Sequence, residues 1–222
     1  MAKREHEWGS RDYAQEWVSK DERRAAEREA QFSAAIKWLA VFLEGRTQVM
    51  DLGCGPGTLA DKLLAAFPEM RVTCLDGSNE MLKLARERLA SFADRVSFIQ
   101  SDFADEDWIA GLPRQLDAVV SARAIHNLRK LKPIERVHRQ ICELLRPGGL
   151  FLNIERVNFS TPRLRRYYRE VQMRARGRAA KTDGPAPSLA QQFRLLRRAG
   201  FKDIDCFWRE GNTAIVGGFK GE

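Results

Sequence analysis

The sequence predicts an α/β fold: a mostly parallel sheet with helices on both faces. Three observations carry this. Short apolar runs alternate with helical patterns from Val49 to Ala199, the signature of βα units whose strands pair in parallel. The first run, Val49-Met-Asp-Leu52, passes directly into a turn with glycine at 53, 55 and 57. Glycines at a strand end let a bound nucleotide approach backbone that a side chain would otherwise shield. Finally, two strand-like runs near the C-terminus are joined by Arg209-Glu-Gly-Asn212, a hairpin signal that makes the last strand antiparallel.

Each element follows from local chemistry. Residues 10–44 read as helical: charges alternate from Asp21, and Phe32, Ile36, Leu39, Ala40 and Leu43 recur at helical spacing. This segment is expected to cap the ligand side of the sheet. After the glycine turn, residues 58–67 read as a helix stopped by Pro68. Residues 71–75 read as a second strand ending in Asp76-Gly-Ser, then residues 79–90 as a helix with Ser78 or Asn79 as N-cap. A third strand over 96–100 leads into Ser101-Asp-Phe103, and a fourth covers 116–121. A helix over 133–145 is expected to end at Arg146-Pro-Gly-Gly149, before a fifth strand over 150–154. Helix is expected again around 164–176 and over 188–199, the latter closed by Gly200. Strands over 201–208 and 213–219 complete a seven-stranded sheet.

With 222 residues, the chain suits one α/β domain with a substantial core. One domain over 1–222 is expected, with a helical cap over 1–45 and a basic insertion over 156–187. Apolar residues at 44% and charged residues at 31% place it among globular proteins. No apolar run approaches the roughly 18 residues of a membrane span. Met1-Ala-Lys-Arg-Glu-His-Glu7 lacks an apolar signal core, so a cytoplasmic location and no membrane partner are expected. Cys54, Cys74, Cys142 and Cys206 are far apart, with no C-x-x-C pair. They read as buried thiols, and no metal site is expected.

The net charge of +8 is local. Nine Arg and Lys lie between Arg156 and Lys181 against the single acid Glu170, so this segment alone accounts for it.

The ligand follows from the acids. A dinucleotide fingerprint reads G-x-G-x-x-G, whereas this turn reads G-x-G-x-G. Asp51 inside the first strand suits an ammonium group better than a pyrophosphate. Asp76 ends the second strand, where a carboxylate can accept from both ribose hydroxyls. Asp102 ends the third, placed to accept from an adenine amine with Phe103 beside the ring. Three acids at three successive strand ends describe a nucleoside without phosphate; the G-x-G-x-G spacing and Asp51 disfavour a nicotinamide oxidoreductase.

In Val49–Gly57, Cys74-Leu-Asp-Gly-Ser-Asn-Glu-Met81, Gln100-Ser-Asp-Phe103 and Leu145-Arg-Pro-Gly-Gly149 the chain resembles the class I S-adenosylmethionine-dependent methyltransferases. The resemblance is strong over 49–155. It implies a Rossmann-like, three-layer sandwich, S-adenosylmethionine as cofactor and S-adenosylhomocysteine as product. It further implies that Asp51, Gly53, Cys54, Gly55 and Gly57 form the methionine side of the pocket. Asp76 and Gly77 would hold the ribose, and Met81, Asp102 and Phe103 the adenine. Ser121 and Arg123 would lie near the sulfonium and carboxylate. No Asn/Asp-Pro-Pro-Tyr/Phe stretch follows the fourth strand, which reads on as Ser121-Ala-Arg-Ala-Ile-His-Asn127. That argues against methylation of base amines or glutamine amides. The absence of a Pro-Cys pair there argues against cytosine C5 chemistry.

The acceptor is less legible. His126 leads out of the fourth strand and is the candidate general base, with loop anchoring as the bland alternative. Glu155 and Arg156 are candidates to orient substrate, or form a surface ion pair. Tyr13 and Trp17 share one helix face and either close over the site or pack against the sheet. His138, flanked by arginine, reads as a surface residue. Tyr167 and Tyr168 interleave with arginines between Arg163 and Arg178. That segment reads as a solvated or lid helix, a site for an anionic small molecule, or an RNA surface. A small-molecule methyltransferase is the expected function. The alternatives are a tRNA or other RNA methyltransferase and a non-catalytic binder of S-adenosylmethionine or S-adenosylhomocysteine.

Overall fold

A computed structural model describes residues 10–12, 14, 16, 18, 25–45, 47–176 and 186–222. Tyr13 and Trp17 lie outside the described residues. The helices are α1 (Ala25–Phe42), α2 (Thr58–Ala66), α3 (Asn79–Arg88), α4 (Leu131–Leu144), α5 (Pro162–Arg176) and α6 (Leu189–Arg198). The strands are β1 (Gln48–Leu52), β2 (Arg71–Asp76), β3 (Val96–Gln100), β4 (Leu116–Ala122), β5 (Leu145–Arg156), β6 (Phe201–Glu210) and β7 (Thr213–Lys220).

The seven strands run in the order β3-β2-β1-β4-β5-β7-β6. The pairs from β3 to β5 are parallel. β7 is antiparallel to both of its neighbours, so it is the one reversed strand. Strand order turns back between β1 and β4. There the connections leave in opposite directions and open a crevice at the strand C-termini.

Alternation along β1 divides the core. Val49 faces a layer holding Phe32 and Leu39 of α1, Leu63 of α2 and Leu82 of α3. Met50 and Leu52 face the layer of Ile134, Val137 and Ile141 from α4 and Leu195 and Leu196 from α6. Helix α1 is further held where Trp38 donates to the Phe207 carbonyl at 2.9 Å and Phe42 meets Phe219 edge-on at 4.9 Å. Its inward stripe is Phe32, Ala35 and Leu39, continued by the buried Leu43 just past its end, while Ala40 is exposed.

Three local expectations are corrected. Helix α4 starts at Leu131, ahead of Pro133, because the N–H that proline lacks would be unpaired in a first turn anyway. Arg146-Pro-Gly-Gly149 is not a loop after the helix but the bulged start of β5. The strand closes tightly there: a Cβ on Gly149 would stand 2.9 Å from the Arg146 carbonyl and 3.0 Å from that of Leu116. His138 is not on the surface. It is 0% exposed, on the same α4 stripe as Ile134, Val137 and Ile141, with its ring 5.6 Å from that of Phe151. Burial pushes its pKa down to about 4.

Candidate active site

The crevice at the switch point is a cleft of about 460 Å³, bounded by the tips of β1 to β4 and by Arg28 and Phe32 of α1. Gly53 and Cys54 both donate their backbone N–H to the Leu75 carbonyl, at 2.7 and 3.0 Å. That pair of bonds turns the chain sharply off β1. A Cβ on Gly53 would come within 2.3 Å of the Ala124 Cβ, so only glycine lets the β4 loop close on this turn.

Asp51 is 1% exposed and lines the cleft. Neither of its carboxylate oxygens has a hydrogen-bond partner. Burial, then the charge of Asp76, pushes its pKa up to about 7; the Ala60 N–H, outside hydrogen-bond geometry, pulls the other way. Asp76 is anchored instead. Its Oδ2 accepts from Gly55 N at 2.8 Å and its Oδ1 from Ser78 N at 2.9 Å, stitching the β1 turn to the β2 turn. Burial raises its pKa, and those two N–H donors oppose the rise. Ser78 caps α3 by accepting from Met81 N, and Met81 faces the cleft, buried. Asp102 accepts from Ala104 N at 2.8 Å, an Asx turn that sets Phe103 on the wall. Arg136 of α4 holds this loop through the Phe103 and Ala104 carbonyls. Cys54 also lines the cleft, with the Cys74 thiol and burial holding its own thiol above the ordinary range.

Past β4 the lining changes sign. Arg123 follows the strand, and a single 3₁₀ turn, Ile125–Leu128, leads to Arg129. Arg123, Asn127 and Arg129 line the cleft, as does Arg28. With β3, β2 and β1 on one side of the switch point and β4 on the other, the acids Asp102, Asp76 and Asp51 stand together, opposite Arg123 and Arg129.

Several of the expected site residues lie outside the lining of the cleft. Gly57 does not border the cleft: it begins α2 in a left-handed conformation, and a Cβ there would press on Leu89 and Ala85 at 3.1 and 3.2 Å. Ser121 is buried and donates to the Leu52 carbonyl at 2.8 Å, clipping β4 to β1. His126 points away from the cleft, its Nδ1 2.8 Å from Glu155 Oε1 but off the line of the ring N–H. Glu155 is a buried brace, not a surface ion pair. Its Oε2 accepts from His126 N at 3.0 Å and its Oε1 from Arg156 N at 2.7 Å. Arg156 lies outside the lining, as does the exposed Tyr167, which has Arg163 over its ring at 5.6 Å. Arg28, Asn127 and Arg129 were missed; Arg28 lay within a charge run, four residues before Phe32 on the same helix.

Residues 49–149 match a family described as methyltransferase domain. The chain carries a class I S-adenosylmethionine-dependent methyltransferase domain. Its cofactor is S-adenosylmethionine. The methyltransferase is 33% identical over 162 residues to trans-aconitate 2-methyltransferase of Paracidovorax citrulli, covering 73% of this chain and 57% of that relative. Carboxy-S-adenosyl-L-methionine synthase of Nautilia profundicola is 26% identical over 198 residues, 83% of this chain and 82% of its own length. Human N-acetylserotonin methyltransferase, solved in complex with the cofactor, superposes with a TM-score of 0.68 at 22% identity, covering 96% of this chain and 57% of the other. That likeness shows the shared fold. Among the described residues, no helix is long and apolar enough to cross a membrane.

Proposed function

We propose that this methyltransferase acts on a small molecule held in the cleft between the β1 and β4 tips. The observation that carries the reading is the split lining: three acids on the β1–β3 side, three arginines entering from β4 and α1. The acidic side fits the cofactor. Asp51, buried with both oxygens unpartnered, would receive its ammonium group. Asp76 keeps one lone pair on each oxygen beyond its backbone bonds, enough to accept from two ribose hydroxyls. Met81 and Phe103 would bracket the adenine, with Asp102 accepting from its amine. When bound, S-adenosylmethionine supplies a methyl group activated by the sulfonium.

What the chain adds is alignment and exclusion of water. Arg123, Asn127 and Arg129 form the other wall, where the acceptor would stand. Two relatives carry names of small-molecule methyltransferases, for trans-aconitate and for demethylmenaquinone, and this supports a small acceptor here.

The test is transfer of labelled methyl from the donor into a metabolite extract compared with bulk tRNA. Label in small acidic or neutral products is expected. Label in tRNA, with binding that falls steeply with salt, would favour an RNA substrate engaging α5. S-adenosylhomocysteine binding with no transfer to either pool would leave a non-catalytic binder.

A further inference from the structure

We propose that the methyl acceptor is a carboxylate of a small di- or tricarboxylic acid, methylated on oxygen to an ester. This rests on the small-molecule reading above and names its substrate class.

The charge of the cleft suits an anionic acceptor. The cofactor brings one carboxylate to a cleft lined by three guanidinium groups, Arg28, Arg123 and Arg129. Two of these flank the acceptor side of the switch point. Planar guanidinium forks match carboxylates in a bidentate geometry that neutral or cationic acceptors cannot use.

The backbone beside the acceptor wall is strained. Four non-glycine residues among those described have positive φ, and two are Arg123 and Arg129, each at φ 57°. Both line the cleft, at either end of one 3₁₀ turn. Arg129 stands at the C-cap of that turn, its N–H donating to the His126 carbonyl. Glycine is the ordinary residue for a left-handed cap. A long cationic side chain standing twice in such a conformation points to a task for that side chain.

An acceptor that carries no proton suits the cleft as well. His126, the imidazole beside this turn, faces Glu155 instead of the cleft. A carboxylate acceptor needs no base. One carboxylate would be gripped by arginine while an oxygen of another attacks. A lone pair of that oxygen forms the new C–O bond as the methyl–sulfur bond breaks and its electron pair returns to sulfur. No proton moves, and the products are the methyl ester and the neutral thioether.

The experiment uses the intact protein, tritiated methyl donor and a panel of citrate, succinate and the neutral control succinamide. Methyl esters release volatile methanol in mild alkali, whereas ethers, amines and C-methyl products do not. Base-labile label on an acid of the panel supports the proposal. Base-stable label alone, label on succinamide, or no label on any acid overturns it. Transfer to other acceptors in an extract would then leave the small-molecule reading standing, whereas loss of all transfer would remove both. Arg129→Gly supplies a second readout. It should keep or raise the melting temperature and keep the S-adenosylhomocysteine Kd within about twofold. The KM for the acid should rise by about tenfold or more, the effect of losing a charge-assisted hydrogen bond. A lower melting temperature with unchanged KM would show that Arg129 only shapes the turn, and would overturn its assignment.

Discussion

The two walls of the cleft are built differently. The acidic wall is tied through the turns at successive strand ends: Asp76 accepts from Gly55 on the adjacent β1 turn and from Ser78 on its own, and Asp102 from the residue two positions on. Asp76 and Asp102 are fixed by backbone beside their own strand end or the adjacent one, while Asp51 has no hydrogen-bond partner. The basic wall is assembled at a distance. The 3₁₀ turn that carries Asn127 and leads to Arg129 is braced by Glu155, 29 residues beyond His126 on β5. Arg28 comes from a helix that precedes the sheet. A wall whose acids stand in the turns that end successive strands can be recognised as a motif. One made of long-range bonds cannot.

The sharpest way to break this contrast is Asp51. Its carboxyl is displaced upward in the folded state, from 3.8 to about 7. A raised carboxyl favours the fold fully below its unfolded pKa, and that advantage is lost as pH rises through the folded value. Without cofactor, Asp51 should therefore contribute a loss of stability between about pH 4 and 7, of up to about 4 kcal/mol, set against the opposite contribution of His138, whose lowered pKa favours the fold as pH rises. Asp51→Asn should flatten that loss, so variant and parent diverge as pH rises; denaturant midpoints across this range measure it. Parallel curves would mean that Asp51 is not isolated in the fold.

Glu155→Ala comes next, with an expected cost of about 2–3 kcal/mol, because two backbone N–H groups lose their buried acceptor. Chemical denaturation gives that figure. Calorimetry should show S-adenosylhomocysteine affinity changed far less, since the acidic wall has its own ties. A matched loss of cofactor affinity would show the walls to be coupled.

Asp76→Ala should weaken S-adenosylhomocysteine binding by about 1–3 kcal/mol. Unchanged calorimetric affinity would take Asp76 out of the ribose site. Smallest is Ser121→Ala, at about 1 kcal/mol of stability for its bond to the Leu52 carbonyl, with cofactor affinity untouched. A selective loss of affinity there would return Ser121 to the binding wall.

Legibility followed the range of the interactions. Asp51, Asp76 and Asp102 could be read because each sits within or just past an apolar run that announces its own strand. Gly57 was read as a ligand contact, although its neighbours, Ala85 and Leu89, lie a helix away on α3. His126 stood at the right place after β4, yet its orientation depends on Glu155 across the β4–β5 pair. His138 was legible in principle, since positions 134, 137, 138 and 141 form one helical stripe. Its arginine neighbour at 139 drew the reading toward the surface.

By itself the sequence determined the sheet class, the single reversed strand and the acidic wall, because strand periodicity, turn glycines and strand-end acids act over a few residues. Tertiary structure decided which cations face the cleft and that His126 turns toward Glu155. It also decided that Ser121 and Gly57 serve the scaffold. Those outcomes depend on which distant backbone approaches a side chain, and that is set only when β4, β5 and α1 close around the switch point.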